Sequence, residues 1–271
     1  MTTLLVNSLL KGGLGRPALI GVVHLRALPG APRFAGSMEA VLQGAEADAR
    51  ALAEGGADAV IVENFGDIPF RSTAVDPETV AAMALALDRV RGAFSDGPVG
   101  VNVLRNDARS ALGLCAATGA SFLRVNVHTG VAVTDQGLIA ARADETLRER
   151  ARLGLDCEIL ADVHVKHAVP LGGGSLEDAA RDAAARGMAD ALIVSGSGTG
   201  VAVDPDDLAR VRAASPDTPI LIGSGLDLER AREWAGAFDG AIVGTALKSS
   251  GRVDGPVEVA RVAALRDALS E

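Results

Sequence analysis

Leu19-Ile20-Gly21-Val22-Val23-His24-Leu25-Arg26-Ala27-Leu28-Pro29-Gly30 decides the architecture. Its first five residues are apolar on consecutive positions rather than alternating, which marks a strand buried on both faces in a parallel sheet covered by helices. An open doubly wound sheet would place a glycine-rich G-x-G-x-x-G turn after such a first strand, and His24 to Gly30 has no likeness to one.

The same kind of run returns at Ala59–Val62, Val99–Val103, Phe122–Val127, Cys157–Val163, Ala191–Val194, Ile220–Ile222 and Ala241–Val243. Segments of helical periodicity follow them, at 38–54, 77–90, 108–118, 145–153, 176–186, 205–213, 228–235 and 256–269. Ser37, Asp76, Ser175, Asp204 and Asp227 stand at N-cap positions, and Asp107 fits the cap of the third helix. Eight strand–helix units predict a single (β/α)8 TIM barrel, α/β in class. It spans residues 1–271 as one domain, with a core over about 16–265 and an N-terminal extension over 1–15.

The chain has 271 residues, a formal charge of −9 and 48% hydrophobic residues, so it lacks the basic face a nucleic-acid binder needs. No apolar run approaches the roughly 18 residues of a membrane span, and the opening residues carry no secretory pattern. Cys115 and Cys157 lack both metal-ligand spacing and a disulfide framework, and a cytoplasmic location is expected. Of 26 basic residues only Lys11, Lys166 and Lys248 are lysines, which singles out Lys166 at the end of the fifth strand.

A barrel of this type carries its site at the C-terminal strand ends. Those ends supply His24, then Glu63 and Asn64, then Asn102, then Arg124, Asn126 and His128, then Asp162, His164 and Lys166, then Ser195. Glu63, His128, Asp162, His164 and Lys166 are the catalytic candidates. His24, Asn64, Asn102, Arg124, Asn126 and Ser195 are candidates for holding substrate. Strand alternation sets Asp162, His164 and Lys166 on one face and turns His167 away. Arg105 also fits a solvated loop charge. Gly223-Ser224-Gly225 and Gly244-Thr245 close strands seven and eight with small, hydroxyl-bearing loops suited to a phosphate. Ser195 to Gly200 would extend that site or close over it. His24, Glu63, His128, Asp162 and His164 include the ligand types of a divalent metal, which spatial convergence alone would show.

These segments resemble the BtpA/SgcQ family of barrel proteins. The likeness lies in Gly21–Leu25, Leu28–Gly30, Val62–Asp67, Gly100–Asp107, Arg124–Gly130, Thr134–Gly137, Asp162–His167, Leu221–Gly225 and Asp239–Thr245, with Ser195 where the family pattern leads one to expect Thr. It spans about residues 16 to 265 and implies the barrel fold. Two functional readings follow, the first from the strand-end residues and glycine loops and the second from the resemblance. One is an enzyme of isomerase, epimerase or lyase type on a phosphorylated sugar or related small phosphate ester. The other is a non-catalytic photosystem I biogenesis factor associated with a membrane. The expected partner is a phosphorylated small molecule, with no nucleic acid and no integral membrane span, and a homo-oligomer is left open.

Overall fold

In a computed structural model, which describes residues 6–11, 13–196, 198, 201–234 and 236–271, eight parallel strands close into a barrel. They are β1 (Ala18–His24), β2 (Ala59–Glu63), β3 (Val99–Asn102), β4 (Phe122–Val125), β7 (Glu158–Val163), β9 (Ala191–Val194), β10 (Ile220–Ile222) and β11 (Gly240–Val243). Around the barrel the order is β1-β2-β3-β4-β7-β9-β10-β11, with β11 back on β1. The eight predicted strand runs are these eight strands.

Helices α1 (Met38–Glu54), α2 (Pro77–Ala93), α3 (Ala108–Thr118), α4 (Ala143–Arg152), α5 (Leu176–Arg181), α6 (Pro205–Ala214), α7 (Leu228–Glu233) and α8 (Val259–Ala268) follow the barrel strands. Ser37, Asp107, Ser175, Asp204 and Asp227 cap their helices as expected, each accepting a backbone N–H. Asp76 makes no such bond and holds Arg71 instead. Of the predicted helix 228–235, Ala235 lies outside the described residues, as do Ser197, Thr199 and Gly200 of the loop after β9.

A second sheet was not legible in the sequence. Hairpin β5 (Val131–Thr134) and β6 (Gly137–Ala140) turns at Asp135-Gln136, and β8 (Ala168–Pro170) pairs antiparallel with β5. The three strands stand beside the mouth of the barrel on the excursions that follow β4 and β7.

Alternation along each strand sends every second side chain inward. Ile20, Ile61, Phe122, Leu160, Ile193, Leu221 and Ile242 fill the lower interior, joined by Val6 and Leu10 of the N-terminal turn, so that part of the 1–15 extension plugs the floor. Gly100 is required there: a Cβ would lie 2.2 Å from the Phe122 ring.

Three aspartates tie strand starts together below the barrel. Asp58, Asp190 and Asp239 accept the N–H groups of Leu19, Ile159 and Ile220 at 2.8, 2.8 and 2.7 Å. Each is paired with an arginine, respectively Arg16, Arg150 and Arg212. Above this floor the inward positions turn polar.

Candidate active site

The uppermost inward residues are His24, Glu63, Asn102, Arg124, Asp162, Ser195, Gly223 and Gly244, one from or just beyond each barrel strand. Arg124 is their centre. Its Nε and Nη2 each donate to Asp162 at 2.8 Å, and Nη1 reaches Glu63 Oε1 at 3.5 Å. Asn102 Nδ2 donates to Glu63 at 3.1 Å, Asn126 Nδ2 to Asp162 Oδ2 at 2.9 Å, and Ser195 Oγ to Asp162 Oδ1 at 3.3 Å. Both carboxylates are buried, and such charges persist away from water only with paired, hydrogen-bonded partners.

Electrostatics set the protonation states. Burial alone would raise the Glu63 carboxyl, but Arg124, His24, Lys166 and the Asn102 amide together hold it below its ordinary value, so it is an anion at neutral pH. Burial pushes the His24 imidazole down to about 4 against the pull of Glu63, with Lys248, Lys166 and Arg124 adding to the fall. His24 is therefore neutral; its Nδ1 is buried without a partner, and its ring meets Phe65 edge-on at 4.8 Å. Lys166 is brought down to about 8, first by burial and then by Arg124, against Glu63 and Asp162, with Arg105 lowering it further.

A cavity of about 200 Å³ opens beside these groups. Its lining brings His24, Glu63, Arg124 and Lys166 together with Gly223, Ser224, Gly225, Gly244, Thr245 and Arg230. A side chain at Gly223, Gly225 or Gly244 would force a neighbour to move, and at Gly225 that neighbour is backbone. Added Cβ atoms would sit 2.4 Å from Ser195 Oγ at Gly223, 2.3 Å from the Val201 carbonyl oxygen at Gly225, where φ is +72°, and 2.4 Å from His24 Cε1 at Gly244. The Ser224 hydroxyl is engaged elsewhere: it accepts from Gly196 N at 3.1 Å and donates to Val201 O at 3.2 Å, fastening the loop after β9.

Two expectations, on His128 and Asn64, need correction. His128 does not face the mouth; it is buried with Nε2 on the Gly187 carbonyl at 2.8 Å, and its charged neighbours are Arg150 and Asp190. His164 and Asp162 line one cavity, although β7 ends at Val163 and the backbone of His164 turns left-handed at φ +52°. That cavity is distinct from the glycine-walled one and is lined in part by β5 and β8, and the charged neighbours of His164 are Asp207 and Arg210. Asn64 is a loop clip rather than a ligand group, its Oδ1 accepting Leu104 N at 2.7 Å and its Nδ2 donating to Asp67 Oδ2 at 3.0 Å. The metal set does not converge: among the described residues no three His, Cys, Asp or Glu side chains form a metal-holding group, and a guanidinium occupies the space between Glu63 and Asp162.

Asn64→Ala should strand the Leu104 N–H and one Asp67 oxygen, so we expect a loss of about 2 kcal/mol, the order of leaving a buried polar group unsatisfied. Urea denaturation measures it, and a loss below about 0.5 kcal/mol would contradict the clip.

The sequence leaves Arg105 as a strand-end residue or a loop charge and does not single out Arg230. Arg105 is buried, not a solvated loop charge, with Nη2 donating to the Lys166 carbonyl at 2.7 Å. Arg230, at the start of α7 and paired with Asp227, lines the glycine-walled cavity. The signal for Arg105 lay in its place three residues past the polar strand end at Asn102; Arg230 carried none beyond its closeness to Gly225.

The model of the BtpA family matches residues 16–271. The chain is 47% identical to the photosystem I biogenesis protein BtpA of Synechocystis sp., over 93% of this chain and 88% of that one. It is 36% identical to the sgc region protein SgcQ of Escherichia coli, over 90% and 91%. Among solved structures, KGPDC from Streptococcus mutans superposes with a TM-score of 0.61 at 13% identity, covering 94% of this chain and 98% of that chain. Phosphoribosyl anthranilate isomerase from Thermus thermophilus gives 0.57 at 13%, covering 93% and 98%. At such identities the likeness is one of fold. No helix among the described residues is long and apolar enough to cross a membrane. The chain belongs to the BtpA family.

Proposed function

We propose that the chain is an enzyme acting beside a carbonyl group of a small phosphorylated sugar, in the manner of an isomerase, epimerase or lyase. The observation that carries this reading is the pairing of an ionised buried carboxylate, Glu63, with a perturbed lysine, Lys166, on the wall of one cavity also lined by glycine-rich backbone. Perturbed acid–base pairs in a cleft are the usual mark of catalysis.

In this reading the phosphate lies against the backbone of Gly225, Gly244 and Thr245, with Arg230 as its counter-charge. Glu63 accepts the proton on the carbon next to the carbonyl; the C–H electron pair becomes a C=C bond, the carbonyl π pair moves onto its oxygen, and the Lys166 ammonium stabilises that oxyanion. His24, being neutral, offers the substrate a hydrogen-bonding imidazole without adding charge. Arg124 pairs with both carboxylates and holds them in place. A fold neighbour named for a phosphoribosyl substrate is in keeping with a phosphosugar ligand. The photosystem I role named for the Synechocystis relative has no counterpart in this site's geometry.

Solvent-deuterium incorporation into a panel of aldose and ketose phosphates, followed by NMR, tests the reading. Exchange next to the carbonyl in one of them, abolished in Glu63→Gln, is expected; no binding and no exchange across the panel overturns it. Gly244→Asp places a carboxylate where the phosphate would lie and displaces His24. We expect it to weaken phosphate-ester binding by about tenfold or more while the barrel stays folded, and calorimetry showing full affinity would remove the β11 loop from the site.

A further inference from the structure

The mouth holds more positive charge than the carboxylates within it balance. Arg124 is spent on Asp162 and Glu63. Arg105 and Lys166 remain, joined through the Arg105 Nη2 to Lys166 carbonyl bond, and neither forms an ion pair among the described residues. The Arg105 guanidinium is buried, yet its Nε has no hydrogen-bond partner. The carboxylates that act on it are Asp162, already held by Arg124, then Asp135, exposed on the β5–β6 turn, and then Glu63. A buried guanidinium with an unmade hydrogen bond is costly, and an oxyanion arriving from solvent would relieve that cost.

Position points the same way. Arg105 follows β3, four strands round the barrel from β10, whereas Lys166 follows β7 and lines the glycine-walled cavity itself. A ligand with its phosphate on the β10 and β11 loops would thus extend past Lys166 toward Arg105. We propose that Arg105 and Lys166 form a second anion-binding subsite at the barrel mouth, so that the ligand carries an oxyanion, a carboxylate or a second phosphate, at the end remote from its first phosphate. This rests on the phosphosugar reading above and narrows it to phosphorylated sugar acids or sugar bisphosphates.

Calorimetric titration of the full chain with three probes tests it: glucose bearing a terminal phosphate, gluconate bearing the same phosphate, and a hexose bisphosphate. One or both doubly anionic probes should bind about tenfold or more tighter than the glucose phosphate, as one charge-assisted contact allows. Which of them does so tells carboxylate from phosphate. Arg105→Met should bring that ratio to near one. Arg105→Lys, which keeps the charge but not the planar fork, should lower it in part, and carries the test if the methionine variant fails to fold. Equal affinity of wild type for all three probes, or an unchanged ratio in both variants, overturns the second subsite alone. Failure of every probe to bind overturns the phosphosugar reading together with it.

Discussion

Arg124→Met is expected to destabilise the protein by about 3–5 kcal/mol at neutral pH, the usual cost of removing one partner from a buried ion pair. The arginine is nearly inaccessible and donates both arms of its fork to Asp162 while touching Glu63. Burial alone would lower its pKa, but Asp162 and then Glu63 raise it, so the guanidinium charge is firmly held. Methionine fills a similar volume without charge and leaves two carboxylates facing each other in a low-dielectric interior. They would answer by taking up protons, which is cheap in acid and expensive at pH 7. The deficit should therefore shrink as the pH falls toward the ordinary carboxylate range, because the unfolded chain then binds those protons as well. Urea melts of wild type and variant at neutral and acid pH measure this. A neutral-pH loss under about 1 kcal/mol would mean that Arg124 is not the counter-ion of this site.

Why the fold was legible and the site only partly so follows from what each depends on. The barrel rests on eight apolar runs with helical segments between them, a pattern set by local burial and visible in one dimension. The inward polar layer was legible as well, because strand alternation places His24, Glu63, Asn102, Arg124 and Asp162 without further information. Errors began where strands ended. His164 takes a left-handed backbone just past β7 and, while it lines a cavity together with Asp162, it lies outside the glycine-walled cavity. Asn64 and the Ser224 hydroxyl have the composition of ligand groups but spend their hydrogen bonds holding loops together. Their partners, at Leu104 and Val201, are too distant in sequence for any motif to indicate. Lysine scarcity marked out both Lys166 and Lys248. Only the first is at the mouth, while Lys248 is sealed in a pair with Asp48 of α1 and the Gly255 carbonyl. The small antiparallel sheet was missed because its strands are three or four residues long and lie within connections.

Lys166 is expected to work as a cation, and the direction of one pH limb decides it. From sequence, Glu63 and Asp162 are the charges expected to govern it and keep it protonated; the structure adds Arg124 and Arg105, and burial with these neighbours brings the ammonium down to about 8. At pH 7 about nine-tenths of it still carries the proton. Under the oxyanion-stabilising role, kcat/KM should hold level through neutrality and fall as the pH rises through about 8, since that quantity follows the free enzyme. With an anionic ligand bound beside the ammonium its proton is held more tightly, so the corresponding limb in kcat should move to higher pH. A Schiff-base nucleophile must be neutral, and would make kcat/KM rise through the same pH. Lys166→Met should lower turnover by roughly a hundred- to a thousandfold, as the loss of one oxyanion donor does elsewhere, and Lys166→Arg should keep more ligand binding than methionine does. Borohydride added with a turning-over carbonyl substrate should leave the protein mass unchanged. A rising limb near pH 8 together with a reduced adduct on Lys166 would reverse the assignment and make the lysine a nucleophile.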